Sequence, residues 1–154
     1  MSKSLVKGVA YGNGAVINCL FCNIMEGKEP GKIVMENDKY VAFKTIQPAS
    51  SNHLLICPRK HVRNIEELSG VEDAQMIREM EEFGRLALGT DAEDSQYCFH
   101  IPPWNSIDHL HLHAIGARHT MSFKGSLKYW QETFYCWSSK EAAARVLAKE
   151  MSKL

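Results

Sequence analysis

Asp108-His109-Leu110-His111-Leu112-His113-Ala114-Ile115-Gly116 alternates imidazole with aliphatic side chains. As a strand, with its period of two, this places His109, His111 and His113 on one face and Leu110, Leu112 and Ala114 on the other, toward a core. Neighbouring histidines would originate ~6–7 Å apart, two strand steps. As a helix, neither set forms a stripe. A row of neutral imidazoles suits two chemistries. One is metal ligation. The other is phosphate chemistry, in which one imidazole attacks phosphorus while its neighbours bind charge and carry protons.

The elements around this strand predict an α+β domain. Lys32–Glu36 and Tyr40–Lys44, joined through Asn37-Asp38, read as a β-hairpin. His53–Cys57 is a buried apolar strand and Gln96–His100 a further one, so the sheet has five strands. Asn18–Gly27 reads as a short helix with Asn18 as its cap and Gly27 at its exit. Ser69-Gly-Val-Glu72 is a capping box, and behind it Met76, Ile77, Met80, Phe83, Ala87 and Leu88 recur at helical spacing as a core stripe. A second box, Ser138-Ser-Lys-Glu141, opens a final helix. Gly89–Ser95 reads as a polar loop. Antiparallel strands with helices on one side are the expected architecture.

Composition sets bounds. A chain of 154 residues makes one domain with a sizeable core. Residues 1–17 read as a flexible tail and 18–154 as the folded domain. Eighteen basic residues balance eighteen acidic ones, which leaves no electrostatic footprint for nucleic acid or a membrane surface. Five cysteines, an odd number, fit a reducing compartment. The expected location is cytoplasmic, with the nucleus as an extension. The basic-aromatic segment Lys124–Trp137 has three readings: a wall on the leaving-group side of the histidine site, a surface that stacks nucleic-acid bases, or packing on a dimer, which is favoured over nucleic acid.

Cys19-Leu-Phe-Cys-Asn-Ile24, Val41-Ala-Phe-x-x-Ile-x-Pro48, Asn52-His-Leu-Leu-Ile-Cys-Pro-Arg-Lys-His61 and His109-Leu-His-Leu-His-Ala-Ile115 together resemble the histidine-triad (HIT) family, in its Hint branch. The likeness runs from about Cys19 to the end. The loop Phe99–His109 and the long C-terminal extension resemble the third Hint type, and aprataxin's catalytic domain shares a related loop. The resemblance implies a HIT fold, a homodimer with a continuous sheet, and an adenosine 5′-monophosphoramidase that needs no cofactor for catalysis. The alternatives are a dinucleoside polyphosphate hydrolase or cap-scavenging enzyme, and a purine-nucleotide-binding scaffold.

Residue by residue, the resemblance makes His111 the nucleophile and His113 a ligand of the α-phosphate oxygens. His109 and His53 would position the site and carry protons, and Ser106 would hydrogen-bond near the leaving group. Phe21, Ile24, Phe43 and Ile46 match an apolar purine pocket. Thr45 stands where Hint proteins often have a ribose-binding Asp, and Asn105 where they commonly carry Gln. His100 is a further candidate for nucleotide contact. Cys19, Cys22, His61 and His109 match a structural zinc set, a donor combination suited to tetrahedral zinc.

Overall fold

The computed structural model describes residues 5–151. In chain order it contains strands β1 (Val9–Gly12) and β2 (Ala15–Cys19), helix α1 (Leu20–Met25), strands β3 (Ile33–Glu36), β4 (Tyr40–Lys44) and β5 (Asn52–Pro58), and helix α2 (Gly70–Leu88). Strands β6 (Gln96–His100) and β7 (Leu112–Gly116), helix α3 (Phe123–Lys128), strand β8 (Cys136–Ser138) and helix α4 (Ser139–Met151) follow. Among the described residues, no helix is long and apolar enough to cross a membrane.

The main sheet is antiparallel, with strand order β3-β4-β5-β7-β6-β8. It has six strands, not the expected five. The extra one, β8, is only three residues long, too short to show a period, and it pairs along β6. Strand β7 begins at Leu112, so His109 and His111 lie on the extended segment that leads into it. Every residue of that segment is buried, and the alternation holds as a division between two faces. Leu110, Leu112 and Ala114 join Leu54, Ile56, Tyr97 and Phe99 in the largest core cluster, with Ile77, Met80 and Phe83 of α2 and Ala142 and Val146 of α4. Truncating one of the Leu, Ile or Met side chains among them to Ala costs ~2–5 kcal/mol, because the close-packed surroundings collapse only in part. Gly84 lets α2 approach the sheet: a Cβ there would lie 3.2 Å from that of Ala114 and 3.3 Å from Ile56.

The opposite face carries the chemistry. Strand register sets Leu55 and Cys98 beside His113, and His53 beside Ile115, so His53 and His113 share that face. Phe21 and Ile24 of α1 cover one end of it, packing on Val41, Phe43, Leu55 and Cys57. Tyr129 covers the other end, packing with Cys98, Ile115 and Cys136.

Four local expectations change. Residues 9–17 are not a loose tail: β1 and β2 form an antiparallel ribbon, and Val9 is buried against α1 and β4. Residues 1–4 of the expected tail lie outside the described residues. The cap of α1 is Cys19, whose Sγ accepts from the Cys22 N–H, whereas Asn18 lies within β2 and its side-chain oxygen accepts from the Asn23 amide. Ser69 caps α2 without its hydroxyl; its own N–H donates to Asp73 Oδ2 at 2.9 Å, one residue past the expected Glu72. The box at α4 forms as expected on its hydroxyl side, with Glu141 N–H donating to Ser138 Oγ at 3.1 Å. Gly89–Asp94, within the stretch read as a loop, is 3₁₀ helix six residues long.

Candidate active site

Hydrogen-bond partners assign the protonation of each imidazole. His111 Nδ1 lies 2.7 Å from the His109 carbonyl. A carbonyl only accepts, so Nδ1 carries the proton and Nε2 presents a lone pair. The ring stands edge-on to Phe21, with centroids 5.2 Å apart, and 5.1 Å from the ring of His113.

His113 follows from a relay. The Ala49 N–H donates to His53 Nδ1 at 2.9 Å, which leaves the proton of His53 on Nε2. That nitrogen lies 3.0 Å from His113 Nδ1 and donates to it. His113 therefore carries its own proton on Nε2. Among the described residues, this Nε2 is the one fully buried side-chain nitrogen or oxygen with no hydrogen-bond partner. An unpartnered buried donor costs ~1–3 kcal/mol, and such a group beside a free imidazole lone pair points to an anionic ligand. A lone pair that attacks and an N–H that receives charge are what displacement at a phosphate needs.

Burial keeps these rings neutral. His53 is pushed down to about 3, first by burial and then by the nearby Lys128 cation. His111 is pushed down to about 4 by burial, with its hydrogen bond to the His109 carbonyl opposing the shift. His113 lies well below its ordinary value for the same first reason, reinforced by its imidazole neighbours. A histidine whose folded-state pKa is depressed binds fewer protons folded than unfolded below about pH 6.5, so it removes stability as the pH falls through that window. For His53 alone the loss between pH 7 and pH 4 is roughly 3 kcal/mol. Thermal melts at stepped pH should therefore show a steep fall in Tm across this range, and His53→Gln should flatten it. A slope unchanged in that variant would contradict the assignment.

His109 turns elsewhere. Its Nε2 donates to the Pro58 carbonyl at 2.9 Å. Its Nδ1 lies 3.5 Å from Cys19 Sγ, 3.5 Å from Cys22 Sγ and 3.1 Å from His61 Nδ1. The four donor atoms of Cys19, Cys22, His61 and His109 fall within 4.8 Å of one another. The cluster expected from sequence is thus assembled, and its outer partners fit a metal: the Pro58 carbonyl takes the far proton of His109, and the Tyr11 hydroxyl lies 2.9 Å from His61 Nε2. Burial and the Cys19 thiol push the Cys22 thiol up to about 12. Because both ring nitrogens of His109 are engaged here, its link to His111 is its carbonyl, not a proton-carrying ring.

The remaining candidates divide. Phe21 and Phe43 meet edge to face at 5.1 Å, and Ile24 is buried with them. Ile46 does not join this wall; it is 96% exposed on the turn after β4. Thr45 beside it is half-buried, and its hydroxyl accepts from the Gln47 N–H. Asn105 is buried and works inside its own loop, donating to Asp108 Oδ1 at 3.0 Å and accepting from Lys7 Nζ at 3.0 Å. Ser106 is exposed, and among the described residues it hydrogen-bonds to none of the histidines. His100 is brought in: its ring is 5.0 Å from that of His113, and its Nε2 donates to the Lys128 carbonyl at 2.9 Å.

Sequence reasoning missed the contacts that are purely tertiary. Tyr11 lay in the supposed tail. The Ala49 N–H and the Pro58 carbonyl are backbone groups with no sequence signature. Tyr129, in the basic-aromatic segment, carried no signal of its own; it lies against the histidines of its own chain.

Comparison with known proteins agrees with this geometry. The family described as "Scavenger mRNA decapping enzyme C-term binding" matches residues 18–129. Adenosine 5′-monophosphoramidase HINT3 of Mus musculus is 36% identical over 124 residues, covering 77% of this chain and 74% of its own. The bifunctional adenosine 5′-phosphosulfate phosphorylase/adenylylsulfatase HINT4 of Arabidopsis thaliana is 34% identical over 114 residues, covering 72% and 77%. Among solved structures, a HIT family hydrolase from Legionella pneumophila is 30% identical with a TM-score of 0.59, covering 66% of this chain and 94% of its own. With the triad, its relay and these relatives in agreement, the chain belongs to the histidine-triad family and is an enzyme of its hydrolase type.

Proposed function

We propose that this protein hydrolyses the P–N bond of adenosine 5′-monophosphoramidates through a nucleotidyl-histidine intermediate at His111. The observation that carries the reading is the pairing of a free Nε2 lone pair on His111 with an unpartnered Nε2–H on neighbouring His113. The name of the mouse relative supports the choice of substrate.

The steps follow from the protonation states. His111 Nε2 attacks the α-phosphorus and forms a P–N bond to the ring. The bond to the leaving amine breaks, its electron pair stays on the amine nitrogen, and that nitrogen takes a proton from solvent, which the attacking water gives back in the second step. Charge gathering on the phosphoryl oxygens meets the His113 N–H, which is already oriented and needs no reorganisation. Water then attacks phosphorus, the His111 ring leaves, and AMP is released. His53 fixes the His113 tautomer and is the proton carrier behind it. His109 holds the His111 tautomer through its carbonyl. The Phe21–Phe43–Ile24 wall takes the purine, the Thr45 hydroxyl lies at the ribose side, and Ser106 meets the leaving group.

Cys19, Cys22, His61 and His109 hold a structural zinc in this reading. When bound, the ion supplies cross-linking, tying α1 and the segment after β5 to the entry of β7; catalysis itself needs no cofactor. A homodimer with a continuous sheet belongs to the same reading. Its seam falls at β3 or β8, the two edges, since β6 is paired on both sides. Free thiols at all five cysteines support a cytoplasmic or nuclear location.

The matched family description favours one other substrate class, capped or dinucleoside polyphosphates. Relative kcat/KM on an adenosine 5′-phosphoramidate and on diadenosine triphosphate separates the two. At least tenfold preference for the phosphoramidate is expected; the reverse preference would replace the reading. Tight AMP binding with neither substrate turned over would leave a nucleotide-binding scaffold.

A further inference from the structure

The segment between α3 and β8 has no part in the chemistry above, yet it supplies a ring to the histidine cluster. The Tyr129 ring stacks on His100 with centroids 4.8 Å apart and planes 27° apart. It meets His53 edge-on at 5.2 Å and His113 at 4.9 Å. Among the described residues, it is the one ring outside the cluster that touches all three. Tyr129 is only 4% exposed.

We propose that Tyr129 is a positioning residue for this reaction, a ring from the C-terminal extension that seals the His53–His113 relay in its own chain and keeps the free N–H of His113 on Nε2. The proposal rests on the phosphoryl-transfer reading of the site, but the tautomer it specifies is a property of the unliganded protein.

The tautomer of His113 depends on His53 donating to it, and hence on the orientation of the His53 ring. Two contacts hold that ring: the Ala49 N–H on one side and the edge-on Tyr129 on the other. Both come under the extension. Gly125 of α3 lies against Ala49, where a Cβ would stand 3.3 Å from the Ala49 Cβ, so α3 rests on the loop that supplies the N–H. The Tyr129 carbonyl is tied to β6 by Gln96 Nε2 at 2.8 Å, and the preceding Lys128 carbonyl takes the proton of His100. Without the aromatic ring, water reaches His113 and offers Nδ1 and Nε2 equivalent partners. The ring then exchanges tautomers, and its phosphate-binding N–H is present only part of the time. A small error in aiming a catalytic group is enough to cost ~10²-fold in rate.

The test uses the full chain as wild type, Tyr129→Phe, Tyr129→Leu and Gln96→Ala. The last loosens the segment without removing the ring. Nitrogen-15 NMR of the histidines reads the tautomers without ligand, and steady-state release of AMP from adenosine 5′-phosphoramidate reads kcat and KM. Wild type and Tyr129→Phe should show His113 protonated on Nε2, with kcat within about twofold of each other. Tyr129→Leu should show a mixed tautomer and a kcat lower by about tenfold or more, with KM changed less than about threefold. Gln96→Ala should fall between and serves as the deciding variant if Tyr129→Leu does not fold. A single Nε2–H tautomer with undiminished kcat in the loosened variant would overturn the proposal. If the wild type releases no AMP, the substrate reading fails, and the NMR result still decides the role of Tyr129.

Discussion

His111→Ala should lower AMP release by roughly 10⁴-fold or more while leaving the fold and nucleotide binding in place. The size follows from the arrangement. His111 has a carbonyl that fixes its tautomer and a free Nε2 lone pair, and its ring neighbours the unpartnered N–H of His113. His53 is committed to the relay and His109 to Pro58 and the thiols. His100, held by the Lys128 carbonyl through Nε2, keeps its lone pair on Nδ1 and stacks on Tyr129. His113→Ala is a different loss. It removes the donor that meets phosphoryl charge and leaves the nucleophile, so its deficit should be smaller, about 10²–10³-fold, the cost of one oxyanion donor. A His111→Ala protein within about tenfold of wild type would show that attack comes from water and that the triad only binds.

The second large effect is expected from metal removal. Zinc loading should raise Tm, and a chelator should lower it by about 10 °C or more, since a few kcal/mol is spread over a domain of this size. Cys22→Ser should reproduce the loss. The reason is topological. The Cys19–Cys22 pair sits at the entry of α1, His61 follows β5, and His109 precedes β7, so an ion held there would join three distant parts of the chain. Without an ion, the half-buried Cys22 thiol stays protonated at neutral pH, and binding must release its proton. Affinity should therefore weaken as the pH falls. Activity should fall with the metal as well, because the carbonyl that orients His111 belongs to a residue of the cluster. Elemental analysis showing no zinc in protein purified without chelator, with a Tm indifferent to chelation, would contradict this.

The sequence revealed most where chemistry follows a period. The row His109, His111, His113 predicted a face of imidazoles backed by Leu110, Leu112 and Ala114, and the core contains those three. The five longer strands and the Ile77–Met80–Phe83 stripe were legible for the same reason. Illegible parts fall into two kinds. β8 and the ribbon Val9–Cys19 are short, rich in glycine or polar residues, and gain order only by docking on the rest of the domain. The contacts of Tyr129, Tyr11, Ala49 and Pro58 with histidines join residues far apart in sequence or use backbone atoms, so no local pattern announces them. His109 combines both lessons. Alternation placed it correctly on the row, yet only the three-dimensional neighbours show that its ring serves the thiol cluster and its carbonyl serves His111.

The most direct measurement is mass spectrometry of the protein quenched during turnover of an adenosine 5′-phosphoramidate. An acid-labile adenylyl group is expected on the peptide that carries His111, formed at the rate of amine release and absent from His111→Ala. Turnover without an adenylylated peptide, or with the group on another residue, would contradict it.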